Sequence, residues 1–252
     1  MFKNAITRKP GKNFALGLTT SDLGAPDYDL IMEQHRAYVT ALRSLGLEVD
    51  ILQSLPDFPD AYFVEDVAVV TPEIAVITNP GALERAGEAQ HIEAVLSRYR
   101  PLTRIQTPGT LDGGDVMQVG KQFFIGVSDR TNAEGAKQLG QILGQYGYQW
   151  TLVPVSGGLH LKSDISYIGR NSLLISKTLA KSYVFANYDR IIVNEDETYA
   201  ANSLLVNEQI IMPKGFPRTK RKLEEAGFDI IELETSEMQK MDGGLSCMSL
   251  RF

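Results

Sequence analysis

Short runs of β-branched and aromatic residues, each split by a polar tripeptide of turn type, recur along this chain at nearly constant spacing. The first is Asp66-Val-Ala-Val-Val-Thr-Pro-Glu-Ile-Ala-Val-Ile. Forty-nine residues on comes Asp115-Val-Met-Gln-Val-Gly-Lys-Gln-Phe-Phe-Ile-Gly, and after another forty-nine Asp164-Ile-Ser-Tyr-Ile-Gly-Arg-Asn-Ser-Leu-Leu-Ile. Asn202-Ser-Leu-Leu-Val-Asn-Glu-Gln-Ile-Ile-Met-Pro follows after thirty-eight. Each copy opens on a short polar residue and carries Val or Ile four places later. That pattern predicts strand, tight turn, strand.

Three copies run on into helical periodicity. Ile92, Val95, Leu96 and Tyr99 share one face of a helix predicted over 89–99, and Ala136, Leu139, Ile142, Leu143 and Tyr146 one face over 131–146, with Thr131 or Asn132 as N-cap. Pro217 opens a third helix that Gly227 ends. Strands are predicted after them at 102–106, 149–155 and 229–233; the third copy offers only a short segment, 179–182. A fifth unit is divided between the chain ends: a strand at 4–8, a helix at 28–45 and a strand at 47–52 form its front, and a strand at 244–249 completes it. The expected fold is therefore α/β, one domain over 1–252, with five ββαβ-like modules closed into a ring. In such a ring Asp66, Asp115, Asp164, Asn202 and the residues before them converge at one mouth, joined by Asp242-Gly-Gly-Leu-Ser-Cys247.

Composition narrows the function classes. A net charge of −6 and a single cysteine argue against a nucleic-acid partner and against a disulfide framework, and no apolar run is long enough for a membrane span. The start of the chain lacks the apolar core of a secretion signal, so a cytoplasmic location is expected. There is no P-loop and no GxGxxG after a strand, so no nucleotide cofactor is expected.

The lone thiol of Cys247 is open to packing, metal binding or nucleophilic chemistry. His35 and His91 read as surface positions on helices. His160, after Gly157-Gly158 and beside a repeat's opening residue, reads in isolation as a core histidine; the ring pairs it with Cys247, which predicts a thiol of depressed pKa beside a proton carrier. Asp112, in Thr-Leu-Asp-Gly-Gly-Asp, reads alone as a turn residue. Asp60, Glu65 and Asp66 flank Tyr62-Phe63 in a buried stretch and need a cationic partner. Arg85 and Arg130, near helix starts where the dipole disfavours them, suit an anionic group. One cysteine and one usable histidine make a poor zinc shell, so no resident metal is expected, with adventitious zinc at Cys247 and His160 left open.

Taken together, Gly17-Leu18-Thr19, Pro59-Asp60, Phe63-Val-Glu-Asp66, Arg85-Ala-Gly-Glu88, Gly109-Thr-Leu-Asp112-Gly-Gly-Asp115, Arg130-Thr-Asn-Ala-Glu-Gly135, Leu159-His160-Leu-Lys162, Tyr199-Ala-Ala-Asn202 and Asp242-Gly-Gly-Leu-Ser-Cys-Met-Ser-Leu250 resemble the dimethylarginine dimethylaminohydrolases, most of all the compact bacterial form. These are guanidino-group-modifying penteins, five-bladed ββαβ propellers. The resemblance implies a hydrolase that cleaves N-methylated arginine to citrulline and a methylamine through a covalent thiouronium, without a cofactor. It implies Cys247 as nucleophile, His160 as general acid and base, and Asp112 as the third catalytic residue. It further implies Asp66 and Glu65 on the substrate guanidinium, Arg85 and Arg130 on its α-carboxylate, and Leu18, Met241 and Asp60 around its α-amine and a mobile lid. Met241 stands where the bacterial form has Ile, which matters little if only its carbonyl is used. A ring fold also leaves outer strands and helices free for a homodimer contact. The alternatives within the fold are an arginine deiminase, which is longer, and an amidinotransferase. A non-catalytic pentein that binds through its ring is the alternative outside catalysis.

Overall fold

The computed structural model describes all residues, 1–252. Its strands form five three-stranded sheets, and every sheet repeats one topology: the first strand runs antiparallel to the middle one, which is parallel to the third. The first blade is Ala68–Val70, Ala75–Ile77 and Leu102–Arg104. The second is Val116–Val119, Gln122–Val127 and Gln149–Pro154. Ile165–Gly169, Ser172–Ile175 and Asp189–Ile192 make the third, and Leu204–Val206, Gln209–Pro213 and Ile230–Leu233 the fourth. The fifth takes its middle and third strands, Asn4–Arg8 and Glu48–Leu52, from the front of the chain and its first strand, Ser249–Arg251, from the back. The division of this blade between the chain ends is as expected. Its first strand starts later than the predicted 244–249, because Ser246–Met248 forms a one-turn 3-10 helix carrying Cys247.

The continuous apolar runs have a physical cause. Successive side chains on a strand point to opposite faces, and here both faces of each blade are covered by its neighbours. Val116 and Phe123 pack with Val69 and Val76 of the first blade, whereas Met117 and Phe124 pack with Ile165 and Leu173 of the third. Ile168 and Leu174 join Ile210 and Met212, Ile211 joins Ala5, and Ile6 and Leu250 join Ala68 and Ile77. The core is thus a circle of five apolar wedges between blades, not one central mass. The first strands touch between the second and third, the third and fourth, and the fifth and first blades.

Helices cover the outside between middle and third strands: Tyr28–Ser44, Gln90–Leu96, Ala133–Gly144 and Pro217–Glu225. Asn132 is the N-cap of the third of these, accepting from the backbone of Gly135 at 2.8 Å. The third blade has only the 3-10 turns Leu179–Lys181 and Tyr183–Phe185, which explains the shorter spacing to the fourth repeat. No helix is long and apolar enough to cross a membrane.

Candidate active site

The polar residues that open the repeats do not start the strands; they sit in or beside one-turn helices just before them. Their side chains link one blade to the next. Asp66 Oδ1 accepts from Gly114 N at 2.8 Å, Asp115 Oδ1 from Leu161 N at 2.8 Å, and Asn202 Oδ1 from Ser246 N at 3.0 Å. A short polar acceptor is needed at such a position because the first N–H groups of a helical turn have no internal partner. The expected convergence of all four is therefore only partly met. Asp66 and Asn202 reach the mouth, Asp115 lies beneath it as a cap, and Asp164 faces a separate recess at Thr178 and Ser182.

At the mouth lies a cavity of about 480 Å³, open side included, with Cys247, His160, Asp66, Asp60, Arg85, Arg130, Leu18 and Met241 in its wall. Phe63, Gly114, Leu159, Ser163, Asn202, Asp242 and Gly243 line it too; the sequence marks Asn202 as a repeat's opening residue, Asp242 and Gly243 as the lead-in to Cys247, and the others only by standing beside an opening residue or His160. His160 is the N-cap of the turn Leu161–Asp164, and its Nε2 lies 3.1 Å from Asp112 Oδ2. Asp112, fully buried, is fixed in turn by Gly81 N at 2.9 Å on Oδ1. Gly114 is required beneath the imidazole: a Cβ there would stand 2.7 Å from His160 Nδ1 and 2.9 Å from Asp66 Oδ1. Gly244 plays the same part behind the thiol, where a Cβ would meet Asn202 Cγ at 2.5 Å.

The electrostatics reverse one expectation. Burial pushes the Cys247 thiol up to about 12, with Glu65 and Asp66 adding to the shift; the depressed pKa expected of the pair is absent because burial disfavours the thiolate and the two carboxylates outweigh the opposing influence of Lys162 and the Gly244 hydrogen bond. Burial opposes the charge on His160, but Asp66, the Asp112 hydrogen bond and Asp115 outweigh it and raise the ring to about 9. Asp66 is held down to about 2: burial works against it, and His160 and Arg85 overcome that. At neutral pH the centre therefore pairs a thiol with an imidazolium.

Arg85 is buried, with Nη1 2.6 Å from Asp66 Oδ2, Nη2 2.7 Å from Glu88 Oε2, and further bonds to the carbonyls of Asp60 and Phe63. The protein itself thus supplies the anionic partners that its sequence position suggested. Arg130 is half-buried and makes no side-chain hydrogen bond within the protein. Asp60 accepts from the backbone of Leu18 at 3.1 and 3.2 Å, and burial raises its pKa. Two of the predicted residues are absent from the cavity wall. Asp112 lies buried behind His160. The carboxylate of Glu65 turns to the opposite side of the ring, where it meets Lys162, Arg251 and Ser246. His35, expected at the surface, is 3 % exposed, packed edge-on against Tyr62; His91 is exposed as expected.

The spacing nearest to a metal shell is that of Asp66, Asp112 and His160, whose ligand atoms lie within 4.8 Å of one another. Those atoms already serve Arg85, Gly114, Gly81 and each other, and Cys247 is not of the group.

Five like blades around one axis, with thiol and imidazole meeting at the mouth, define a pentein. The family model described as "N,N dimethylarginine dimethylhydrolase, eukaryotic" matches residues 27–251. An N(G),N(G)-dimethylarginine dimethylaminohydrolase of Pseudomonas aeruginosa is 45 % identical over 254 residues, covering 100 % of both chains. One from Streptomyces coelicolor is 34 % identical over 251 residues, covering 99 % of this chain and 96 % of that one. A solved structure of the Pseudomonas aeruginosa enzyme, a cysteine-to-serine variant complexed with citrulline, superposes with a TM-score of 0.98 at 44 % identity and full coverage of both chains. The chain belongs to the dimethylarginine dimethylaminohydrolase family.

Proposed function

We propose that this protein hydrolyses the substituted C–N bond of N-methylated arginine to citrulline and a methylamine, with Cys247 as nucleophile, His160 as acid and base, and Asp112 as the group that orients His160. The observation that carries the reading is the meeting of Cys247, His160 and Asp66, from three different blades, in one cavity. Full-length identity to the Pseudomonas aeruginosa enzyme, whose variant holds citrulline, supports it.

The charge state described above gives the chemistry its order. With a pKa of about 12, Cys247 is a poor nucleophile in the free protein. A guanidinium drawn in by Asp66 places a positive charge beside the sulfur. A unit charge about 4 Å away is worth roughly 4 kcal/mol at an effective dielectric of 20, or about three pK units. Binding the substrate thus makes the thiolate accessible, and its proton leaves to solvent. Sulfur attacks the guanidinium carbon, and His160, already protonated, gives its proton to the departing amine as the C–N bond breaks. The covalent thiouronium remains. Neutral His160 then takes a proton from water and the oxygen adds to the same carbon; as the C–S bond breaks to return the thiolate, the added hydroxyl gives up its proton to solvent and citrulline is released. Arg130, with no protein acceptor, and the one Arg85 Nη1 hydrogen left unshared would hold the α-carboxylate, with Asp60, Leu18 and the Met241 carbonyl around the α-amine.

The test is citrulline release from asymmetric dimethylarginine, monomethylarginine, symmetric dimethylarginine and arginine. A methylated arginine is expected to be the preferred substrate, and Cys247→Ser to lower turnover by at least about 10⁴-fold with the melting temperature kept, since the substitution deletes the covalent route. Near-normal citrulline production by Cys247→Ser, or a preference for arginine with release of ammonia, would overturn the reading.

A further inference from the structure

The relay of side chains between blades is made at three of the five junctions, where the opening residue of one blade caps the turn of the next. In the third blade Asp164 turns to a separate recess, and in the fifth the equivalent place, just before the first strand, is occupied by Cys247. A thiol reserved for chemistry cannot serve as a cap. What joins this turn to the first blade is Glu65. Its Oε2 accepts from Ser246 Oγ at 2.8 Å, and its Oε1 lies 2.6 Å from Lys162 Nζ and 3.0 Å from Arg251 Nη2. Arg251 in turn donates through Nη1 to Ser246 O at 3.1 Å, Ser249 O at 2.7 Å and Ser249 Oγ at 2.8 Å. Ser246 adjoins the nucleophile, Lys162 lies two residues after His160, and Glu65 precedes Asp66. One carboxylate, 3 % exposed, therefore touches all three turns that bear the chemistry, from the side away from the substrate cavity.

We propose that Glu65 is a positioning residue: from beneath the cavity it locks the Cys247 turn to the His160 turn and, with Arg251, to the closing strand, in place of the cap that the nucleophile displaces. This assigns Glu65 to the thiol and not to the substrate guanidinium, and it rests on the reading of Cys247 and His160 given above.

The charge of Glu65 also bears on the thiol, together with the other groups that face the sulfur: Asp66 on the same turn, Lys162 and His160 from the third blade's turn, Tyr62 and Tyr199. The rate of Cys247 alkylation by iodoacetamide against pH, in substrate-free protein, reads that effect directly. Glu65→Gln keeps an acceptor for Ser246 and removes the charge. It is expected to move the alkylation midpoint down by about one pH unit, and Lys162→Met to move it up. In steady state with dimethylarginine, Glu65→Gln is expected to lower kcat about 10- to 100-fold and leave KM within about threefold, the mark of an interaction that acts on the chemical step. A tenfold or greater rise in KM with kcat unchanged would make Glu65 a substrate ligand and overturn the proposal. So would an unmoved alkylation profile and unchanged kinetics. If Glu65→Gln does not fold, Arg251→Lys decides: it keeps the cation but loses the fork to Ser246 and Ser249, so kcat should fall with the alkylation midpoint unmoved, and full activity would overturn the proposal. Failure of the wild-type protein to release citrulline would overturn the functional reading alone, since the alkylation measurements use no substrate.

Discussion

Asp66 carries more of the site than any other single residue. Its Oδ1 caps the turn of the second blade through Gly114 N, its Oδ2 pairs with Arg85 at 2.6 Å, and its charge is the foremost of those that raise His160. The sign of the resulting pH dependence follows from the two shifts. His160, at about 9 against an ordinary 6.5, contributes stability that is complete below about pH 6.5 and is lost as pH rises through 9. Asp66, at about 2 against an ordinary 3.8, contributes stability that is present above pH 3.8 and is lost as pH falls through 2. The pair is therefore fully charged in the interval between. With Asp66→Asn, burial, already the largest single influence on the imidazole, loses its strongest opponent, and the pKa should drop by at least about one unit. A ring-proton NMR titration of His160 in the two proteins measures this. A midpoint that stays at about 9 would mean that Asp112 and Asp115 suffice. Residue types alone leave Cys247, His160 and Asp112 open to packing, core and turn roles; the ring of repeats brings Cys247 and His160 together, and the family resemblance adds the roles of Asp112 and Asp66. None of these suffices for Glu65 or His35. Which way a buried carboxylate turns depends on cations ninety-seven and 186 residues away in sequence, and a histidine among polar helix neighbours can still face an aromatic ring.

At the scale of the elements, the recurring device is a short helical turn ahead of each first strand, held at three of the five junctions by the blade before it. The 3-10 turn of Cys247 depends on Asn202, whose Oδ1 accepts from Ser246 N at 3.0 Å and whose Nδ2 donates to Ser246 Oγ at 3.2 Å. Tyr199, from the same segment, donates to Gly243 O at 2.8 Å. Asn202→Ala leaves a buried N–H without an acceptor, at a cost of about 1–3 kcal/mol, and frees the turn to shift. Because displacement of a reacting atom by about 1 Å can cost 100-fold in rate, kcat should fall by more than the stability loss suggests. Amide hydrogen exchange at 245–248, compared with turnover, tests the link: faster exchange with unchanged kcat would detach Asn202 from the placement of Cys247. The repeat made the hairpins of every blade legible, since alternating burial between two neighbours leaves an apolar run on both sides of each turn. The turns themselves were not legible as helical, being too short for a periodicity. The strand Asp189–Ile192 escaped as well, since it lies on the outer edge of its blade and three of its four residues are at least partly charged or open to solvent. The predicted strand at 244–249 failed for a related reason: Leu245 and Met248 are buried, but by a turn packed on the axis and not by alternation along a strand.

For the whole molecule, closure of the ring is the decisive event, because its last joint is also where Cys247 stands. The strand Ser249–Arg251 pairs antiparallel with Asn4–Arg8, Ile6 opposite Leu250, while Leu250 packs among Val64, Val67 and Ala68 of the first blade. Four of the five blades are continuous in sequence; only this one is assembled from distant segments, so its loop-closure entropy is the largest to be overcome. Leu250→Ala removes buried methyl groups at that joint and should cost about 2–5 kcal/mol, which for a chain of this size lowers the melting temperature by roughly 5–15 °C. Leu223, fully buried between the third and fourth blades, is the control: Leu223→Ala should cost a similar amount. If the closing strand is the least stable part of the ring, iodoacetamide should reach Cys247 several-fold faster in Leu250→Ala than in Leu223→Ala, well below either melting point and at matched pH. Equal alkylation rates in the two variants would mean that the ring opens only as a whole, and that the joint beside the thiol is no weaker than the other four.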